Sequence, residues 1–498
     1  MHGMVSRKPS SRFGKPQLSI AVAAWACALI FALLLAFRPR LPASEAVLDA
    51  ALLWQSMMPR AALSLIAGAA LGLSGFLLQR VLRNPIADAS TLGIASGAQL
   101  AMSIGLSFSP LLLGLSRELI AFAGGLVAVA IVLGLSWRRS LDPVTVALSG
   151  MIVTLIASAL SVTIILARGE YAMSIYIWGA GSLSQQDWSG VLSLAPRLLA
   201  GFAAAVMLLR PLQVLSLDDA GAKSLGVALH ATRFAVLLLA VWLSASVTAN
   251  VGIIGFLGLA VPAIARFAGA RTTRQLVIAA PLTGAALLFF TDCLTQLLGP
   301  GFTDIAPAGA ATALLGGPLL LYLLPRVHSF AAVTAQTTSA IKRLDSPARV
   351  FLMLFIALAL VVALVLTTAP ANDGWHIASG ALFSDLLPLR LPRTIVAAGA
   401  GAMLAAAGFI MQRVTGNPIA SPEVLGVSTG GGAGLTVALF IFGFPPPFVM
   451  LASMAIGALV AFLIMIAIAA RAQFAPERLL LAGIALGAFS MAIVTMVL

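Results

Sequence analysis

Along most of this chain apolar residues continue for about twenty positions at a time, and polar residues gather in the short breaks between them. Such runs are neither the alternation of a half-buried strand nor the one-sided stripe of a surface helix. They are apolar all round, and as helices of roughly twenty residues they match a hydrocarbon layer about 30 Å thick. Ten are expected near residues 18–37, 58–79, 92–113, 119–136, 145–167, 190–209, 234–252, 253–268, 276–297 and 308–324, with five more between 350 and 498. The seventh to ninth are the least sharply bounded, and Gly252 to Gly258 also reads as a re-entrant break. A backbone in lipid must close its hydrogen bonds internally, so the expected fold is an all-α polytopic membrane protein of about fifteen helices.

The pattern then repeats itself at a constant offset of 333 positions. Met58-Pro59-Arg60 returns as Leu391-Pro392-Arg393, Gly75 as Gly408, Gln79-Arg80 as Gln412-Arg413, Asn84-Pro85 as Asn417-Pro418 and Gly93 as Gly426. Pro143 and Gly150 still keep register with Pro476 and Gly483. Ten spans return a chain to its starting side, so the two copies are expected to insert in parallel. We assign the first copy to residues 1–333 and the second to residues 350–498, joined across the polar stretch 326–349, which holds Lys342, Arg343, Asp345 and Arg349. Leu498 stands opposite Ile165, about 168 residues short of a complete second copy, so the second copy reads as truncated after about five helices.

Composition sharpens this. With 61% hydrophobic and 9% charged residues, a water-soluble domain of 498 residues is excluded. The net charge of +13 does not mark a nucleic-acid surface, because the basic residues sit at alternate membrane borders. Placing the N-terminus in the cytoplasm puts 21 of them inside against 8 outside, which satisfies the positive-inside rule. The first apolar segment is long and lacks a small-residue cleavage site, so it is expected to be a retained helix rather than a signal peptide. Cys27 and Cys293 both lie within apolar runs and point to no disulfide, metal site or cofactor. No phosphate-binding glycine loop, zinc-protease motif, paired carboxylates or nucleophile elbow is present in the sequence, so no residues for enzymatic chemistry stand out.

Four places are candidates for function. The segments RVLRNPIADASTLGIASG from Arg80 and RVTGNPIASPEVLGVSTG from Arg413 each link two spans on the expected inner face. Asn84-Pro85 and Asn417-Pro418 read as helix-stopping turns, whereas Gly93, Gly97, Gly426 and Gly430 allow close helix packing or leave room beside a permeation path. The stretch Ser216 to Arg233 is the second place. Asp218 and Asp219 suit a helix N-terminus, Lys223 the other end and Gly226 its cap, while Leu225 asks for a partner surface, either the membrane or a docked protein. Third, Arg60, Arg390 and Arg393 open the second span of each copy on the expected outer face, either snorkelling to headgroups or meeting carboxylates of a docking protein. Fourth, Asp292 lies within a span with no basic residue near it in sequence, the position of an ion or proton relay.

RNPIADASTLG, the RLPR segment with its glycines, LDDAGAKSLGVAL and GIIGFLGLAVPAIARFAGARTTR together resemble the permease family of ABC importers for iron siderophores, haem and vitamin B12. Two tandem copies resemble, within it, permeases of the iron(III)-hydroxamate type. The resemblance covers essentially the whole chain and implies tandem ten-span repeats in the bacterial inner membrane. It also implies a pore between copies, a separate cytoplasmic ATPase dimer, a periplasmic siderophore-binding protein and a ferric siderophore as cargo. On it, Arg390 and Arg393 match the binding-protein docking arginines and Arg60 matches the second of them, with Met57 in place of the first. Asp218, Asp219, Lys223, Leu225 and Gly226 fall in the ATPase coupling segment. Ala263 stands where many relatives carry histidine, so no role passes to it. Ferric citrate or catecholate, haem and cobalamin are alternative cargoes, and an ion-coupled carrier using Asp292 is the alternative class.

Overall fold

The protein was analysed as a computed structural model, which describes residues 15–37, 46–84, 87–108, 110–138, 141, 143–168, 178–215, 228–298, 307–323, 346–371, 374–415, 421–422, 425–471 and 476–497. Among the described residues, nine helices are long and apolar enough to cross a membrane, so the all-α polytopic expectation holds. The first copy contributes α1 (Lys15–Phe37), α2 (Ala46–Leu52), α3 (Met58–Val81), α4 (Ile94–Phe108), α5 (Pro110–Trp137), α6 (Pro143–Arg168) and α7 (Ser189–Met207). It continues with α8 (Leu209–Val214), α9 (Leu229–Val251), α10 (Leu257–Phe267), α11 (Thr273–Leu298) and α12 (Ala308–Leu323). The second contributes α13 (Pro347–Thr367), α14 (Ala381–Thr415), α15 (Val427–Phe442), α16 (Pro447–Arg471) and α17 (Pro476–Val497). They fall into two compact units, residues 1–327 with 425–498, and residues 328–424.

Helix α3 is the axis of the larger unit. It packs against α7, α9, α10 and α11, and most of its length is buried. Small residues let backbones meet there: a Cβ on Gly68 would stand 2.3 Å from the Gly284 carbonyl oxygen, and one on Gly72 2.5 Å from that of Ala280. In lipid such close approach replaces the hydrophobic drive that holds helices together in water. The Ser74 hydroxyl joins α3 to α9 by donating to the Ala240 carbonyl at 2.9 Å.

The third span ends at Phe108 and the fourth begins at Pro110, rather than near 113 and 119, and the second and eighth also depart from their expected bounds. The second is one apolar stretch of 36 residues from Ala46 to Val81, because a π-helical turn at Leu53–Met57 carries α2 into α3. Pro59 follows at once; its ring cannot donate to the preceding turn, and the wider π turn accommodates that loss. The eighth was expected to begin at residue 253, but helix begins only at Leu257. Eleven residues rise about 16 Å, too little for a crossing. The break anticipated at Gly252 to Gly258 accounts for the difference. Gly252 leaves α9 at φ 77° and the chain stays irregular to Phe256. Its surroundings satisfy it: the Ser182 amide donates to the Val251 carbonyl at 2.8 Å.

The repeat offset survives in three dimensions. A Cβ on Gly97 would lie 2.6 Å from the Gly124 carbonyl oxygen and 2.5 Å from Ala128, where α4 crosses α5. The residues 333 positions on do the same: a Cβ on Gly430 would lie 3.0 Å from the Gly457 carbonyl oxygen and 2.4 Å from Ala461, where α15 crosses α16. A matched crossing at a matched register makes these helices structural copies.

The smaller unit holds α13, a hairpin pairing β1 (Thr368–Ala371) with β2 (Gly374–Ile377), and α14. Helix α14 repeats α3, yet Val396, Met403, Leu404, Phe409 and Ile410 are exposed on it, where their equivalents Leu63, Ala70, Leu71, Phe76 and Leu77 are buried. The helices that cover α3, namely α9, α10 and α11, have no counterparts among the described residues of 350–498.

Candidate functional site

Arg60 and Asp292 are 232 positions apart in sequence and meet inside the packing of α3 on α11. The Arg60 Nε donates to Oδ2 and Oδ1 of Asp292 at 3.0 and 3.1 Å, and Nη2 donates to Oδ1 at 2.6 Å. Gln296, one helical turn on, donates its amide to Asp292 Oδ2 at 2.9 Å. The side chains retain 12% and 1% of their exposure, so this is an internal, charge-assisted fork rather than a surface pair. It corrects one expectation: Asp292 does have a basic partner, on another helix. Arg60, read as facing outward, directs its guanidinium to that carboxylate.

In the smaller unit Arg390 lies on α14, and its Nη1 donates to the Val365 carbonyl oxygen at 3.0 Å and to that of Thr368. That fastens α14 to the end of α13 and the start of β1. Arg393 is one turn further and exposed.

At the other end of α3, about 30 Å from Arg60 by helical rise, the first connector begins. The Asn84 amide donates to the Gln79 carbonyl at 3.3 Å, and the Asn84 carbonyl accepts from the Ala87 amide at 3.1 Å. Asp88 is buried. Burial pushes its carboxyl above the usual carboxylate range, while bonds from Ala89 and Ser90 pull the other way. Its Oδ1 occupies the room left by Gly258, 2.1 Å from where a Cβ would stand. Gly93 and Gly426 end their connectors with φ of 76° and 73°, a left-handed conformation that costs glycine nothing sterically. Each abuts the fifth helix of its own copy, Gly93 beside Val153 and Thr154 of α6 and Gly426 beside Gly483 and Gly487 of α17. The Thr154 hydroxyl donates to the Ser90 carbonyl at 3.1 Å, fixing the first contact. Gly97 and Gly430 stand at close helix crossings.

Helix α12 of the first copy packs along α17 of the second, the seam between copies within the larger unit. A Cβ on Gly317 would approach the Ala485 carbonyl oxygen to 2.8 Å. Pro85, Asn417 and Pro418 lie outside the described residues, as do Asp218, Asp219, Lys223, Leu225 and Gly226. The residues missed by the sequence reading are Arg80 and Arg83, which bond the chain just ahead of Ser216. Their clustering behind a helix end was the available signal.

A sequence profile of the FecCD transport family matches the chain twice in succession, over residues 17–326 and 330–498. The chain belongs to the FecCD transport family. Among relatives of known name, it is 41% identical over 446 residues to the iron(3+)-hydroxamate import system permease protein FhuB of Salmonella typhimurium, covering 88% of this chain and 64% of that protein. The Escherichia coli protein of the same name is 40% identical over 89% of this chain and 67% of its own length. An Fe(3+) dicitrate transport system permease of Escherichia coli, FecD, is 34% identical over 54% of the chain and 86% of its own length. The FecCD fold is matched in a solved inward-facing metal-chelate type ABC transporter, with a TM-score of 0.55 and 26% identity, over 63% of this chain and all of the other.

Proposed function

We propose that this FecCD chain is a membrane-spanning permease of an ATP-driven importer that carries ferric hydroxamate chelates across the bacterial inner membrane. The observation that carries the reading is the double family match in one polypeptide, at 40–41% identity to relatives named as iron(3+)-hydroxamate permeases across nine-tenths of the chain. A chelated ferric ion keeps its ligands, so transport asks no metal-binding cluster of the protein. In our reading the N-terminus is cytoplasmic, following the distribution of arginine and lysine. ATP is hydrolysed by a separate dimer docked at Asp218 to Gly226, and cargo arrives on a periplasmic binding protein. The path follows the seam of α12 and α17, with the connectors ending at Gly93 and Gly426 beside it and Asn84, Pro85, Asn417 and Pro418 as further candidates to line it. Gly97 and Gly430 hold the neighbouring helix crossings.

Docking on the outer face falls unequally. The exposed Arg393, with Arg390 behind it, serves the second copy, whereas Arg60 is engaged by Asp292 and has Met57 before it. Reversing Arg390 and Arg393 to glutamate is expected to weaken a siderophore-binding protein's affinity by about tenfold or more, through slower association at low salt. Surface plasmon resonance against the immobilised permease at two ionic strengths measures it. Unchanged affinity and salt dependence would remove the docking assignment. Dicitrate relatives make ferric citrate the second cargo, on lower identity. The Arg60 pair favours a structural Asp292 over an ion relay.

A further inference from the structure

The short helix α8 ends at Val214, immediately ahead of the segment that our functional reading assigns to ATPase coupling. Two arginines of α3's far end hold it. Arg80 Nε donates to the Leu212 carbonyl oxygen at 3.2 Å, and Arg83 Nε donates to that of Leu215 at 3.2 Å. Arg80 reaches further, giving Nη2 to the Thr273 hydroxyl at 2.8 Å, so one guanidinium ties α3, α8 and the start of α11 together. Leu212 lies in the last turn of α8 and Leu215 caps it, and a fixed cation is the partner that a helix C-terminus favours. Leu212 and Leu215 are themselves buried, so the bonds add direction to a stretch already seated.

A second observation is independent of these bonds. Arg83 has a φ of 45°, in the left-handed region that residues with a Cβ enter only against steric resistance. The residue 333 positions on, in the second copy, is Gly416. Glycine is thus compatible with the repeat at this point, and the first copy keeps arginine where the backbone would prefer glycine. A strained residue kept in place by its surroundings points to use of its side chain.

We propose that Arg83, with Arg80, is a positioning residue that fastens the root of the coupling segment to α3, so that movement of the ATPase is passed to the helix whose other end carries Arg60, the partner of Asp292 on α11. By sequence position, Arg413 matches Arg80 and Gly416 matches Arg83 in the second copy. The proposal rests on the coupling role of residues 218–226.

Arg83→Gly tests it cleanly, because it relieves the backbone and matches the second copy, so the fold is retained. The variant is purified with a co-expressed ABC ATPase subunit, and its hydrogen exchange is compared with that of the parent. Exchange at residues 209–229 is expected to rise about tenfold while residues 58–80 stay protected. ATP hydrolysis stimulated by binding protein and ferrichrome should fall about tenfold at unchanged ATPase copurification, with Arg83→Lys between. Unchanged exchange overturns the fastening. Faster exchange with full stimulation overturns its role in coupling, as does a loss that merely follows reduced copurification. If the parent neither binds the ATPase nor responds to ferrichrome, the importer reading fails, while the exchange comparison still decides whether Arg83 holds the chain.

Discussion

Asp292→Ala is expected to cost about 3–5 kcal/mol of stability, because it leaves the Arg60 guanidinium buried without its counter-charge. The pair is bidentate, and Asp292 keeps 1% of its exposure, so water replaces little of what is lost. Changing both residues, as in Arg60→Met with Asp292→Leu, should recover most of that cost, since two apolar groups leave nothing unpaired. Denaturant or thermal unfolding of the purified protein in micelles reads the difference. An Asp292→Ala protein that unfolds at the parent's midpoint would show that the pair holds nothing. Asp292→Asn separates stability from transport: an ion relay would lose uptake at nearly full stability, whereas a helix clamp loses both together.

A second large effect is expected where α3 meets α11. Gly68→Ala puts a methyl group 2.3 Å from the Gly284 carbonyl oxygen and 2.9 Å from the Leu288 Cβ, distances that only separation of the helices relieves. Loss of several kcal/mol, about 3 or more, and sharply reduced folded protein in the membrane should follow. The repeat supplies the control. Gly401 is the equivalent residue of α14, and a Cβ there meets nothing within 4 Å. In the chain of 498 residues Gly401→Ala should therefore be neutral or stabilising by up to about 1 kcal/mol through helix propensity. Equal damage at both positions, measured by folded yield and melting, would contradict the packing described for α3.

These contrasts show what was readable in the chain and what was not. Spans and the repeat were legible because apolar run length and a constant register are properties of the sequence alone; the crossings at Gly97 and Gly430 keep that register in space. The break after Val251 was legible too, since Gly252, Gly255 and Gly258 interrupt an otherwise helical run. Pairings between helices were not. Arg60 looked like an outward group because it stands at a predicted membrane border, and nothing local links it to Asp292. The burial of that acid was the one available signal, because a carboxylate in lipid calls for a partner somewhere. Helices apolar on every face also conceal which side meets protein. Phe76 and Phe409 occupy equivalent positions, and only the structure separates the buried ring from the exposed one.

The most direct test of the central claim is uptake of radiolabelled ferrichrome by proteoliposomes holding the full-length polypeptide, with an ABC ATPase subunit inside and a siderophore-binding protein outside. The account predicts accumulation that requires both proteins and internal ATP and is indifferent to an imposed proton or sodium gradient. Accumulation that follows such a gradient without ATP or binding protein would contradict it and return Asp292 to the centre of the mechanism.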